Sequence, residues 1–337
     1  MVKYTGFDKA RLEQILAGIQ KVKIALVGDV CVDIYWLADM AKSELSRETP
    51  HFPLPVVEER FSPGAGGNAA ANMAALKPAR VSVVSVMGDD WRGKILMDEF
   101  ASRGIDTSGI VYDKNSLTPA YCKPLRKGIS DVVYQDPRLD FENRAAISAQ
   151  VEDRLIENIN ALDVDIVAVS DQFLYGAVTP RVREALAKTG ILTLVDSRFN
   201  IGMFENAVLK PNEVEGCRVA FGEYSPDMSF EHFVKAAETI AVQRNTSVCM
   251  TIGQGGCLLA KDGQTTLVSA TPAQPPIDIV GAGDCFLSAF SLALAAKAEP
   301  AEAAWFANLA AGVTVKKLGT TGTASPEEIL ARFEQVK

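Results

Sequence analysis

The apolar positions of this chain follow two periods. Short runs rich in β-branched residues at 23–27, 81–86, 165–169, 191–195 and 248–252 are apolar on consecutive positions, and each gives way to a polar or glycine-containing loop. Between them apolar residues recur at helical spacing. Strands that are apolar on both faces and separated by helices predict an α/β fold, with a mainly parallel central sheet flanked by helices on both faces. Ligands of such sheets bind beyond the carboxyl ends of the strands. Those ends are Gly28-Asp29, Gly88-Asp89, Ser170-Asp171, Asp196-Ser197 and Gly253. Phe7, Leu12, Ile15, Leu16 and Ile19 lie at helical spacing between charges, as in a docked helix rather than a signal peptide. The longest apolar stretch, 285–296, is too short and too rich in Ala and Ser for a bilayer span of about 20 residues, so a buried helix is expected.

Two segments, 35–62 and 112–140, break this rhythm. They lack helical periodicity, carry Pro50, Pro53, Pro55, Pro119, Pro124 and Pro137, and contain short alternating pieces such as Pro55-Val56-Val57 and Asp131-Val132-Val133-Tyr134. They predict a small antiparallel β-sheet lid over the strand ends, since loops of that length without structure are uncommon in a compact domain. No low-complexity linker or repeat intervenes. The expectation is one domain, 1–337, with a core of 1–34, 63–111 and 141–337.

Composition narrows the partners. A chain of 337 residues, 48% hydrophobic and 23% charged, can bury a large core. Its formal charge of −8 argues against surfaces built for nucleic acid or anionic membranes, so phosphate recognition has to be local. Cys31, Cys122, Cys217, Cys249, Cys257 and Cys285 include no C-x-x-C pair, and with only His51 and His232 no zinc pattern can be assembled. Reduced cysteines in a cytoplasmic protein are expected.

Two phosphate-loop lookalikes lead nowhere. Gly88 to Lys94 has G-x-x-x-x-G-K spacing but is followed by Ile95 where a hydroxyl must meet Mg2+, and Asp89-Asp90 would repel phosphates. Gly64-Ala65-Gly66-Gly67-Asn68-Ala69 loosely fits a dinucleotide fingerprint, yet it follows Phe61-Ser62-Pro63 rather than a buried strand, which weakens a dehydrogenase reading. The stronger feature is Gly281-Ala282-Gly283, which follows Pro272, Pro275 and Pro276 and runs into the apolar helix. Backbone N–H groups opening at a helix N-terminus form an anion-binding nest. Asp284 would stand on the first turn, placed to accept a proton from an attacking hydroxyl. Simple helix capping would produce the same sequence. Asn212 and Glu215 form an N-x-x-E pair able to hold hydrated Mg2+ or, equally, to cap a helix. Thr251 to Gly256 ends a strand in a glycine-rich turn where a nucleotide could approach, or a plain hairpin turns. Gly28-Asp29 to Asp33 and Gly66-Gly67-Asn68 offer paired acceptors and an amide suited to sugar hydroxyls.

In this order the motifs Gly28-Asp29 to Asp33, Gly66-Gly67-Asn68, Gly88-Asp89-Asp90 to Gly93, Asn212 to Glu215, Thr251 to Gly253 and Asp278 to Asp284 resemble the ribokinase (PfkB) family of carbohydrate kinases over nearly the whole chain. The resemblance implies a ribokinase-like fold and an ATP- and Mg2+-dependent kinase with Asp284 as base and Gly281, Ala282 and Gly283 as anion hole. It implies a sugar held by Asp33, Gly66, Gly67, Asn68 and Arg138. Asn212 and Glu215 would serve Mg·ATP, with Thr251, Gly253, Gly256 and Asn308 bordering the nucleotide. Many members also hold K+, and the matching positions are Asp278, Val280, Thr314, Lys317, Gly319 and Thr323. Within the family the chain looks most like the heptose 7-phosphate kinases of bacterial ADP-heptose synthesis, through Ser46-Arg47-Glu48-Thr49-Pro50, Arg138-Leu139-Asp140-Phe141-Glu142 and Phe204 to Asn212. A phosphorylated substrate would need an arginine, with Arg47, Arg60, Arg126, Arg138 and Arg198 as candidates. Two isolated histidines cannot supply the His-x-Gly-His of a nucleotidyltransferase half. The alternatives are a kinase for ribose, fructose or a nucleoside, and a non-catalytic sugar or nucleotide sensor. A homodimer through the lid edges is expected.

Overall fold

A computed structural model of the protein describes residues 1–128, 130 and 132–336; Asp131 of the expected lid lies outside the described residues. The first part of the chain runs β1 (Val2–Tyr4), α1 (Lys9–Ile19), β2 (Lys23–Gly28), β3 (Val30–Asp39), β4 (Val56–Ala65), α2 (Gly66–Ala75), β5 (Arg80–Met87), α3 (Trp91–Ser102) and β6 (Asp106–Tyr112). Then come β7 (Ala120–Lys127), β8 (Val133–Gln135), β9 (Leu139–Phe141), α4 (Ala149–Asn160), β10 (Ile166–Asp171), α5 (Pro180–Lys188), β11 (Leu192–Ser197) and β12 (Val208–Leu209). The chain closes with α6 (Glu213–Phe221), α7 (Phe230–Arg244), β13 (Val248–Thr251), β14 (Cys257–Lys261), β15 (Gln264–Val268), α8 (Ala282–Ala295), α9 (Pro300–Thr314) and α10 (Pro326–Gln335).

Ten strands form the main sheet in the order β1-β15-β14-β13-β12-β11-β10-β2-β5-β6. Its pairs are parallel except where β14 runs antiparallel to β13 and β15. Successive side chains of a strand point to opposite faces, so the apolar runs feed two cores. Ile24, Leu26, Ile166, Ala168 and Leu194 pack against α1, α2, α8 and α9 on one face. Ala25, Val27, Val167, Val169 and Val195 join α4, α5 and α7 on the other. Helix α8 buries ten of its fourteen residues against the central strands β10 and β11 and leaves its first turn, 282–284, partly exposed. Among the described residues no helix is long and apolar enough to cross a membrane.

The second sheet has the order β4-β3-β7-β8, with β9 also on β7. It is not wholly antiparallel as the alternation suggested, because β3 and β7 run parallel from Val32↔Ala120 to Asp39↔Lys127. The topology explains this. Strand β3 follows β2 with only Asp29 between them, and Val32 N–H donates to the carbonyl of Pro119 just ahead of β7, so the two strands rise side by side. The small sheet also begins lower than expected, since β3 starts at Val30 and β4 runs to Ala65, whereas Tyr112 closes β6 in the main sheet. Asp90 of the discarded phosphate loop caps α3, accepting from Gly93 N–H at 2.9 Å.

Candidate active site

Gly281 is the N-cap of α8 at φ 78°, a left-handed conformation that disfavours other residues, and a Cβ there would lie 2.8 Å from Asn68 Nδ2. Of the three amides assigned to the nest, that of Ala282 turns back to the Ile279 carbonyl at 3.1 Å. The amides of Gly281 and Gly283 make no backbone bond among the described residues. Asp284 sits on the first turn, and its Oδ2 accepts from Asn68 Nδ2 at 2.6 Å. Burial pushes the Asp284 carboxyl up to about 7, against the opposing bond from Asn68. Ser288 Oγ reaches both the Ala69 and the Asp284 carbonyls, at 2.8 and 2.7 Å, and ties α8 to α2.

Asp33 faces this region from the foot of β3. It is 3% exposed, and its Oδ2 accepts from Lys123 Nζ of β7 at 2.7 Å. Lys123 Nζ also donates to Tyr35 Oη at 3.0 Å and lies 4.6 Å from the centre of the Tyr35 ring. Burial raises the Asp33 carboxyl while Lys123 and Arg138 hold it down; for Lys123, burial is outweighed by Asp33 and the ammonium persists. Asp33 Oδ1 is buried without a partner among the described residues. It faces Gly64, where an added Cβ would lie 2.7 Å away, and a buried acceptor without a partner calls for an explanation. Arg138 stacks 3.9 Å from the centre of the Tyr121 ring, opposite Asp33 in the ladder, and pairs with Asp140 at 2.5 Å. Of the other arginines, Arg60 pairs with Glu58 and lies over the Tyr35 ring beside this cluster, 5.3 Å from its centre, whereas Arg126 pairs with Asp136, Arg198 lies over Phe199 and Arg47 is in solvent-facing chain. Gly66 and Gly67 are buried at the start of α2, where a Cβ would meet Asp29 O at 2.5 Å and Pro63 Cβ at 3.1 Å, so packing alone accounts for them.

On the other side, Asn212 is the N-cap of α6 in a full capping box. Its Oδ1 accepts from Glu215 N–H at 2.8 Å, and Glu215 Oε2 accepts from Asn212 N–H at 2.9 Å. The capping alternative is therefore present, and it leaves Glu215 Oε1 available. Burial, with Asp196 nearby, pushes Glu215 up to about 7. Lys210, fully enclosed, pairs with Asp196 at 3.0 Å beside it. One carboxylate oxygen suits Mg2+, which keeps most of its waters and takes its remaining ligands from phosphates. A bridge between Asn212 and Thr251 places the end of β13 alongside, and Gly253 opens the turn into β14. Asn308 and Gly256 meet at the end of β15: Asn308 Nδ2 donates to the carbonyls of Val268 and Ser269 at 3.3 Å, and the Val268 carbonyl leaves no room for a Cβ at Gly256.

The sequence pattern of the pfkB family carbohydrate kinases matches residues 23–328. The chain belongs to that family. It is 32% identical to the bifunctional protein HldE of Geotalea uraniireducens over 97% of this chain and 66% of that protein. It is 33% identical to HldE of Geobacter sulfurreducens over 96% of this chain and 65% of that protein. The chain thus spans just under two thirds of the length of these curated relatives. Its fold is that of Arabidopsis thaliana ribokinase complexed with ribose and ATP, with TM-score 0.70, 21% identity, and coverage of 93% of this chain and 99% of that one. Escherichia coli phosphofructokinase-2 in complex with potassium superposes with TM-score 0.76 at 20% identity, covering 94% and 99%.

In this pfkB-family chain the residues matched to the potassium position lie in two segments, 278–280 ahead of α8 and 314–323 at and after the end of α9, which Asp278 and Gly319 join, and the Lys317 ammonium stands among them. Lys317 Nζ donates to the Thr323 carbonyl at 2.6 Å and pairs with Glu328 at 2.6 Å. Asp278 accepts from Val280 and Gly319 N–H groups at 3.0 and 2.9 Å, and the Thr314 carbonyl accepts from Lys317 N–H. This donor set does not fit a bare K+ ion. Among the described residues no group of three or more His, Cys, Asp or Glu is placed to hold a metal ion. Lys123 escaped the sequence reading, although a lone lysine inside the apolar run Ala120-Tyr121-Cys122 signals a buried partner. Asn72 and the Asp196–Lys210 pair left no comparable trace.

Proposed function

We propose that the chain transfers the γ-phosphoryl group of ATP to a hydroxyl of a sugar that already carries a phosphate, with D-glycero-D-manno-heptose 7-phosphate as the best-supported substrate. The observation that carries the reading is a half-buried carboxylate, Asp284, at a helix N-terminus and held by Asn68, with a buried, unpartnered carboxylate oxygen of Asp33 backed by a buried ammonium on the facing sheet. Asp33 Oδ1 orients a sugar hydroxyl and Lys123 keeps that carboxylate charged. Asp284 takes the proton of the attacking hydroxyl. The amides of Gly281 and Gly283 face the oxygens of the transferring group, and closure of the small sheet excludes water. Mg2+, when bound through Glu215 and water, neutralises charge on the ATP phosphates. Lys123 and Arg138 stand on the sugar side paired with Asp33 and Asp140, so the support for a phosphorylated substrate is the likeness of 138–142 to heptose 7-phosphate kinases. No step is routed through potassium.

The whole of 1–337 then acts as one unit with the small sheet as its lid, and β4 and β8 as its free edges support pairing of two copies. A monomeric mass at micromolar concentration would exclude that dimer. The function is tested by coupling ADP release to heptose 7-phosphate, ribose, fructose and nucleosides. Turnover with the heptose phosphate and a loss of about 10²–10⁴ in rate for Asp284→Asn are expected. Binding without turnover would make the chain a sensor instead.

A further inference from the structure

Asn72 lies one turn after Asn68 on α2 and is 1% exposed. Its Nδ2 donates to the Asn68 carbonyl at 3.0 Å and to Asn68 Oδ1 at 3.3 Å. Asn68 Nδ2 then donates to Asp284 Oδ2 at 2.6 Å. The two ends of an asparagine side chain have nearly the same shape, one accepting and one donating, so its orientation is set by its partners. A flipped Asn68 would put donor against donor at Asn72 and lone pairs against the carboxylate at Asp284. The donor on Asn72 forbids the first clash and thereby aims the Asn68 N–H at the base. Packing does not account for the residue, because Asn72 Oδ1 is buried with no partner among the described residues. An apolar side chain of the same size would avoid that unsatisfied acceptor.

We propose that Asn72 is a positioning residue: it locks the Asn68 amide so that one oxygen of Asp284 is held and Oδ1 stays open to the substrate hydroxyl. The catalytic part of this inference rests on Asp284 being the base of a sugar kinase, as proposed above; the orientation of Asn68 does not. No ligand contact by Asn72 is required.

Two variants test it. Asn72→Leu keeps the branched outline in a somewhat larger side chain and removes the donor, and Asn72→Asp keeps both shape and size and presents an acceptor that invites Asn68 to flip. The side-chain amide line of Asn68, identified in a proton–nitrogen spectrum by its loss in Asn68→Ser, is expected downfield in the unaltered protein because of its short bond to a carboxylate. In both variants it moves toward the ordinary amide position. With substrate, kcat falls about 10- to 100-fold, the rate equivalent of one hydrogen bond to a charged group, while KM for ATP holds within about twofold. An unmoved amide line in Asn72→Leu, or full kcat in a variant that merely melts earlier, overturns the proposal. Absence of phosphoryl transfer to any sugar by the unaltered protein overturns the kinase reading instead, and the amide line still decides whether Asn72 orients Asn68.

Discussion

Replacing Lys123 by Met exposes how the sugar side is held together. Asp33 is 3% and Lys123 8% exposed, and their 2.7 Å contact is shared with Tyr35. Methionine fills much of the lysine volume and deletes only the charge, which leaves a buried carboxylate with one oxygen already unpartnered. Breaking a buried pair from one side costs about 3–5 kcal/mol. At about 2 °C per kcal/mol in a chain of this size, the melting temperature should fall by roughly 6–10 °C at neutral pH. The pH dependence identifies the cause. Burial already raises the Asp33 carboxyl and Lys123 is the main group holding it down, so the variant raises it further. A carboxyl with a raised folded-state value binds its proton more tightly when folded, so that stability is present at low pH and is lost as pH rises through the raised value. The deficit should therefore be larger at about pH 8 than at about pH 5 in thermal melts. Adding Asp33→Asn should recover most of the loss. A deficit independent of pH, or no recovery in the double variant, would refute the ion-pair account.

Other outcomes follow from the same geometry. With Asp284 pushed up to about 7 by burial and required as the carboxylate, kcat/KM should fall as pH drops through that value; an acid limb at the ordinary carboxylate value of about 4 would contradict it. Gly281→Ala places a methyl 2.8 Å from Asn68 Nδ2 at φ 78°, and kcat should drop about 5- to 30-fold, the equivalent of the 1–2 kcal/mol cost of that conformation, with stability lowered by a similar amount. Because the Lys317 ammonium already stands among the potassium-position donors, exchanging KCl for choline chloride should leave turnover unchanged, whereas a steep K+ activation curve would show that the loop rearranges to admit the ion.

Much of the architecture was legible because parallel strands buried on both faces leave uninterrupted apolar runs, as at Ile24 to Val27 and Ile166 to Val169. The N-terminal helix was legible from its 3.6-residue period, and the buried helix starting at Ala282 from an apolar stretch rich in Ala and Ser that is buried all round. The direction of β7 was not, because two short strands joined through long connections carry no mark of parallel or antiparallel pairing. Local sequence also placed Asp284 on its first turn and Asn212 with Glu215 at a helix start. It could not show that the Ala282 amide turns away from the nest, nor that Lys123 and Asp33, ninety residues apart, form one buried ion pair. Such pairings are set by sheet register, and register is a tertiary property.

Asp284, Asn68 and Asn72 belong to α8 and α2 beside the main sheet, whereas Asp33, Lys123 and Tyr121 are carried by β3 and β7 of the small one. The two sets reach the site from different sheets, yet β3 and β7 share one hydrophobic core with α2 and α8 through Val32, Ile34, Ala120 and Cys122. On the proposed assignment of roles, selectivity is therefore expected to change through the exposed edge of this sheet at Arg138 and Asp140, because exchanges at the inward positions of β3 and β7 would also repack α2 and α8.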